Sequence, residues 1–227
     1  QGVFEPAAAW TLKYARHALI PERDGAPGGG LAGALTVTQK PGADTVALRA
    51  VETVAAGFSA PTYAADMRCA ADALLTPQSW TLGIRWLSGK QANLKPGELD
   101  QTRAGRVEGQ EIVHKGARER RRPAPVRWTG FWNLFAALPR LPFEVSSALT
   151  FDLFEELDLH KPEQRLAYIG PQSVGLNVRT LALHVFEQTG RGVLPWRWWL
   201  DAQHRVVLAA GGQRAHLLDT SANGGAA

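Results

Sequence analysis

The stretch Leu194–Val207, LPWRWWLDAQHRVV, constrains the fold more than any other part of the chain. In extended backbone successive side chains alternate faces, so Leu194, Trp196, Trp198 and Leu200 project to one side, and Pro195, Arg197, Trp199 and Asp201 to the other. A half-solvated antiparallel strand carries its apolar residues on one side only. Indoles on both sides require that Trp199 is also covered, by a helix, a second sheet or a ligand. Asp201 to His204 reads as a short turn, because an aspartate bonds the backbone just beyond it, and Arg205 to Ala209 returns as the partner strand.

The same alternation runs through the rest of the chain. Trp10, Leu12 and Tyr14 mark a strand, and Ala34 to Gln39, Thr45 to Val54, Thr62 to Cys69 and Trp80 to Trp86 mark others. Arg103 to Lys115 reads as one more strand, with Val107 and Val113 on one face and Ile112 on the other. Pro21 to Gly30 and Lys90 to Asp100 read as loops. Residues 28–33, GGGLAG, spell G-x-G-x-x-G, yet no strand leads into them and a strand-like ALTVTQ follows, so the dinucleotide-binding turn is excluded. Arg118 to Arg127, RERRRPAPVR, is kept from helix by its prolines. It is either a solvated loop or a site where Arg118, Arg120, Arg121 and Arg122 hold an acidic polymer.

One helix is expected. Trp128, Phe131, Trp132, Phe135 and Leu138 recur at steps of three and four, and Pro139 ends the run. Its circumference is almost wholly apolar, so it belongs in the core and is the natural cover for the second face of the tryptophan strand. Beyond it, Leu149 to Leu157 and Gln164 to Gly170 form a hairpin across His160 to Glu163. Leu176 to Gln188 makes a long strand with Leu181, Leu183 and Val185 on one face and Thr180, Ala182, His184 and Phe186 on the other. Arg214 to Asp219 closes the series before a small-residue tail, 220–227. The fold class is therefore mainly β: one domain over residues 1–227, an antiparallel open or partly closed barrel of about ten strands wrapped around one apolar helix.

Composition narrows the function. No apolar run approaches the roughly 18 residues of a membrane span, and 25 basic against 21 acidic residues make a mixed surface unlike that of a nucleic-acid-binding protein. The lone Cys69 excludes an intrachain disulfide and a multi-cysteine zinc site, and reads as a buried small hydrophobe. The chain begins at Gln1 rather than Met, from which we expect a leader removed before Gln1 and a periplasmic or secreted protein.

Gly192-Val193-Leu194-Pro195 followed by Trp199-Leu200-Asp201 and a basic return strand resembles an uncharacterised group of exported bacterial β-meander proteins. A long antiparallel meander with a helix on its concave side is also similar to the half-barrels that carry lipoproteins or lipids across the periplasm. The first resemblance covers about the last quarter of the chain and the second is topological, so neither transfers a catalytic residue.

Glu156, Asp158 and His160 have the spacing of metal ligands on one strand face, but the lysine and proline after them mark an exposed turn, and no metal or cofactor is expected. His184 has small neighbours and is either a satisfied core histidine or a binding residue. Asp66 and Arg68 read as ion-paired with each other or with neighbours. Arg197, with Asp152 or Glu187 as its acidic partner, shares a face with Trp199 and suits a ligand's carboxylate or sugar ring. Arg197, Trp199, His184 and Trp132 are thus the candidate ligand-binding residues, with catalytic residues unassigned. No G-x-S-x-G, H-E-x-x-H, Walker or EF-hand pattern is present. The leading expectation is an exported binding or scaffold protein with an aromatic-lined pocket for an apolar or amphipathic small molecule. The alternative is a lyase- or hydrolase-type enzyme acting on an anionic polysaccharide along an Arg- and His-lined concave face.

Overall fold

The computed structural model describes residues 3–19, 30–55, 59–88, 100–116, 118–144, 148–176 and 179–221. In chain order the strands are β1 (Trp10–Ala18), β2 (Leu31–Pro41), β3 (Thr45–Val54), β4 (Ser59–Ala70), β5 (Pro77–Ser88), β6 (Gln101–Glu108), β7 (Glu111–Lys115), β8 (Arg120–Pro123) and β9 (Trp128–Gly130). After the helical turn α1 (Leu134–Ala137) come β10 (Ala148–Glu155), β11 (Leu159–Leu176), β12 (Arg179–Thr189), β13 (Trp196–Leu200), β14 (Val206–Gly211) and β15 (Arg214–Leu218). They form a single 15-stranded sheet in the order β8-β7-β6-β5-β4-β3-β2-β1-β15-β14-β13-β12-β11-β10-β9. Every neighbouring pair is antiparallel except β9 with β10.

This order makes the sheet curl. The chain starts at the centre, meanders outward to β8, crosses to β9 at the far edge and meanders back, so that β15 pairs with β1. Laid flat at about 4.8 Å per strand, the two edges would lie roughly 65 Å apart. Yet Ala124–Arg127 is all that joins β8 to β9, and so short a link spans less than about 18 Å. No ladder joins the two edges, so the sheet is curled but open.

Inside the curl lies the segment from Trp128 to Arg140, buried from Trp128 through Pro139. The expected helix over Trp128–Leu138 is here a short strand, a turn, the single helical turn α1 and a 3-10 turn, Leu138–Arg140. Asn133, Thr129 and the backbone explain the difference. Thr129 Oγ1 donates to Leu74 O (2.7 Å), Asn133 Nδ2 to Leu75 O (2.8 Å), and Thr76 Oγ1 to Trp128 O (3.1 Å). Tertiary partners at the β4–β5 corner thus take the polar groups and override the helical periodicity. Phe135 packs edge-on to Tyr14 (4.9 Å) and Trp198 (5.1 Å), and Phe131 to Trp196 (4.9 Å). The buried segment therefore covers the Trp196 and Trp198 side of β13, not the Trp199 side as expected.

Other boundaries also moved. Arg103–Lys115 is two strands, because Gly109 takes a left-handed φ of 60° and turns the chain; Val107 then faces Ile112 across the hairpin. Part of the arginine-rich loop is β8. The turn expected at His160–Glu163 lies earlier, at Glu156–Asp158, and His160 pairs with Phe154 inside the β10–β11 ladder. The turn after β13 is as read: Asp201 Oδ1 accepts from Gln203 N (3.0 Å) and Arg205 N (2.9 Å). The count is fifteen strands, not about ten. Of the GGGLAG run, Leu31, Ala32 and Gly33 open β2, so a strand and no helix follows it, as expected; the Lys90–Asp100 loop and the tail lie largely outside the described residues.

Candidate functional site

Some inward-facing positions carry charge where the alternation calls for an apolar residue. Arg16 follows Leu12 and Tyr14 on β1, Glu52 follows Leu48 and Ala50 on β3, and Arg214 and His216 precede Leu218 on β15. The ladders set Arg16 opposite His216 and Glu52 opposite Tyr63. Glu52 is 3% exposed, and burial of a bare carboxylate would be severely unfavourable. It is satisfied by three donors: Oε1 accepts from Arg16 Nε (3.1 Å) and His216 Nε2 (3.2 Å), and Oε2 accepts from Trp132 Nε1 (2.8 Å). Burial raises its pKa, but the bonds from His216 and Trp132 and the nearby Arg214 charge outweigh that, leaving it at about 2. His216 is held below its ordinary value, chiefly by burial. It is therefore neutral, with its proton on Nε2 toward Glu52 and its buried Nδ1 without a partner.

Beside Glu52 opens a chamber of about 150 Å³, lined by Glu52, Tyr63, Trp132, Glu155, Glu156, Arg16 and Arg214 among others. Arg214 donates to Glu155 (3.0 Å) and lies over the Phe131 and Trp196 rings (4.6 and 5.2 Å). Glu156 has no ion-pair partner among the described residues and lies within hydrogen-bonding reach of the Tyr63 hydroxyl. Burial pushes its carboxyl above the ordinary range, and burial with the Glu156 charge pushes Tyr63 up to about 12. Both Glu156 (φ 49°) and Leu157 (φ 56°) are left-handed, at a cost of roughly 1–2 kcal/mol each.

That strained turn also walls a second, larger cleft of about 550 Å³, lined by Trp80, Leu82, Arg103, His114, Lys115, Arg118, Arg120, Glu156 and Asp158. It is the seam where the two ends of the sheet meet. Arg120 Nη2 donates to both Asp158 oxygens (2.8 Å each), and Arg122 Nη2 to Asp158 O (2.8 Å). Burial would raise the Asp158 pKa, but the Arg120 bonds and charge overcome it, so the carboxylate stays ionised. Arg122 Nε donates to His114 Nε2 (3.1 Å), and burial with the Arg122 charge holds His114 at about 4, hence neutral. Arg103, Lys115, Arg118 and Arg120 thus face the ionised Asp158 carboxylate and the Glu156 carboxyl, whose pKa burial raises.

No family model, curated protein or solved structure matches the chain.

The expected ligand-binding residues do not converge. Trp132 and His184 face inward; Arg197 and Trp199 face outward, where Arg197, half-exposed, pairs with Glu187 (3.2 Å). Trp199 lies opposite Val185 and Leu208, and its Nε1 is sealed without a hydrogen-bond partner. Trp132 belongs to the chamber through Glu52. His184 stacks on Phe143 (3.8 Å), bonds the Tyr168 hydroxyl (2.7 Å), and shares Phe143 with His204 on its other face (3.9 Å). Of the four arginines, Arg118 and Arg120 line the cleft, Arg122 braces it, and Arg121 turns outward to Glu108, Glu111 and Glu119. Asp66 pairs with Arg49 (2.8 Å), and Cys69 is buried, its thiol raised by burial to about 12. Asp158 and His160 are separately engaged, His160 with Asp152 at 2.7 Å. A further cleft of about 570 Å³ beside β2–β5 is lined by Lys40, Arg49 and Arg68 with Asp66, which pairs with Arg49, and it carries no buried titratable network.

Sequence reading missed Glu52, Tyr63, Arg16, Arg214, His216, Arg103, His114 and Lys115. A legible signal existed for several of them: Glu52 and Arg16 are charges in the apolar phase of their strands.

Proposed function

We propose that this is a binding protein that takes an anionic ligand into the seam cleft between the two ends of its sheet. The observation that carries the reading is the imbalance of charge there: Arg103, Lys115, Arg118 and Arg120 against the two carboxyls of Asp158 and Glu156. Lys115 and Arg118 have no ion-pair partner among the described residues, so a ligand anion would supply what the fold leaves open. The filled interior supports binding at this rim rather than around an apolar chain within the curl.

The test is a titration with dextran sulfate, with neutral dextran as control, at rising salt. Binding should weaken steeply with salt and fall at least about tenfold in the double variant Lys115→Glu/Arg118→Glu. Reversal of Lys40 and Arg68, which line the other cationic cleft beside β2–β5, should leave it within about twofold. Equal losses from both pairs would mean a diffuse charge effect and no site.

A second reading, hydrolase or lyase action on an anionic polysaccharide, draws support from Glu52 and Glu156, whose pKa values are driven apart as in acid–base pairs. Release of reducing or unsaturated ends from polygalacturonate, lost in Glu156→Gln, is its test.

A further inference from the structure

The small chamber beside Glu52 has a chemistry different from that of the cleft it adjoins. Arg16 and Arg214 make it a poor place for a cation, while Glu52 and Glu155 make it a poor place for an anion. Its many charged groups disfavour an apolar moiety. What remains is a neutral group rich in hydrogen-bonding atoms. The Trp132 indole and Tyr63 ring, 6.1 Å apart and tilted by 47°, add apolar ring surface to the same walls. At about 150 Å³ the chamber has room for several waters or one small ligand unit.

Position ties the chamber to the cleft. Glu156 lines both and is the wall they share, so a molecule lying along the cations of the cleft comes up against the side of the chamber. Arg16, Glu155 and Arg214 line the chamber and also a third cleft, of about 490 Å³, that continues past Trp196, Gly211 and Gly212. The chamber thus has the cationic cleft as its neighbour across Glu156 and the third cleft as its neighbour across Arg16, Glu155 and Arg214, a succession of sites that suits a chain molecule better than a compact one.

We propose that the anionic ligand is an acidic polysaccharide, with the hydroxyl-bearing edge of one sugar unit in the chamber, bonded by Glu156 and Tyr63, and that unit's carboxylate turned to the cations of the cleft. This rests on the binding reading above. Two αL residues in succession at Glu156 and Leu157, closed by Asp158 N donating to Glu155 O (3.2 Å), make the type I′ turn of the β10–β11 hairpin, and that turn sets the Glu156 carboxyl on the shared wall. The Glu156 carboxyl accepts and the Tyr63 hydroxyl both donates and accepts, so the pair meets both needs of a sugar hydroxyl.

The experiment compares polygalacturonate, which carries both acid and hydroxyl groups, with polyglutamate, which carries acid groups alone. The two are matched in chain length and salt and titrated calorimetrically into the full chain. The wild type should prefer polygalacturonate roughly tenfold, about the effect of one or two net hydrogen bonds. Tyr63→Phe and Glu156→Ala should each bring that preference to within about threefold of parity while leaving polyglutamate binding unchanged. Glu156→Gln, which still donates and accepts, should retain it. Equal affinity of the wild type for both polymers, or a preference that survives both Tyr63→Phe and Glu156→Ala, overturns the saccharide assignment while leaving the anion site standing. If neither polymer binds, the anion site itself falls and the assignment with it. Tyr63→Phe removes one oxygen only, so the comparison holds even if Glu156→Ala fails to fold.

Discussion

Replacing Glu52 with Gln should change how stability responds to acid. The carboxylate titrates at about 2 in the folded protein against an ordinary 4.5. At about 1.4 kcal/mol per pH unit, that difference is worth roughly 3 kcal/mol. A folded pKa below the unfolded one gives a contribution that is complete above about pH 4.5. It is lost as pH falls toward 2, where the folded carboxylate must also take a proton. Glu52→Gln removes this contribution and leaves the Arg16 guanidinium without its counter-charge. At pH 7 the variant should be less stable by about 3 kcal/mol or somewhat more.

The informative quantity is the gap between wild type and variant, measured by urea unfolding at pH 7, 5, 4, 3 and 2.5. It should be flat from pH 7 to 5 and then close by about 3 kcal/mol as the pH approaches 2. His114, neutral and distant in the ladder from Glu52, makes the protein acid-sensitive in both variants and cancels in the difference. A gap that stays constant across the series would show that Glu52 is not held ionised by Arg16, His216 and Trp132, and the site's electrostatic argument would fail.

Trp132→Ala empties a site 2% exposed and removes a donor to Glu52, so denaturant midpoints should report a loss of about 3–5 kcal/mol. Gly105→Ala places a Cβ 2.1 Å from the Trp80 ring, which His114 and Trp128 hold edge-on, and should destabilise by about 1–3 kcal/mol or more in the same assay. Glu163→Gly relieves a left-handed φ of 56° at a largely exposed side chain and should raise stability by about 0.5–1 kcal/mol, read as a higher melting temperature. Arg197→Leu breaks only a half-exposed pair with Glu187, so it should cost under about 1 kcal/mol and leave dextran sulfate binding unchanged.

The strands were legible where alternation was strict. Thr45–Val54 was placed to the residue, because one buried face and one wet face leave the register no freedom. The β6–β7 turn was missed because a two-residue hairpin inside a polar run has only Gly109 to announce it. The helix was over-read for a different reason. Wall-to-wall aromatic burial produces apolar residues at every step, so steps of three and four were bound to occur in Trp128–Leu138 whatever the backbone did. Arg197 and Trp199 drew attention because they lie two apart on one strand face, but a functional site is assembled across strands. Glu52 and His216 meet only through the closing pair β1–β15 at the centre of the sheet, a long-range event that no local window contains.

The open seam follows from the edges themselves. A fifteen-stranded sheet has two, and unpaired edges recruit foreign strands unless they are short, charged or interrupted by proline. β9 has three residues, and β8 has four, reading Arg-Arg-Arg-Pro. Protection alone would be served by arginines pointing anywhere. Alternation instead sends Arg121 outward to three glutamates and Arg120 and Arg122 inward to Asp158. The inward pair tethers β8 to the β10–β11 turn by side chains in place of a ladder. A ladder would have sealed the gap; a side-chain tether holds the ends at a distance and leaves Lys115 and Arg118 facing the space between them. The same arginines that keep other strands off the edge thereby create the cationic wall of the cleft, and the β10–β11 turn at Glu156–Asp158 supplies its opposite wall.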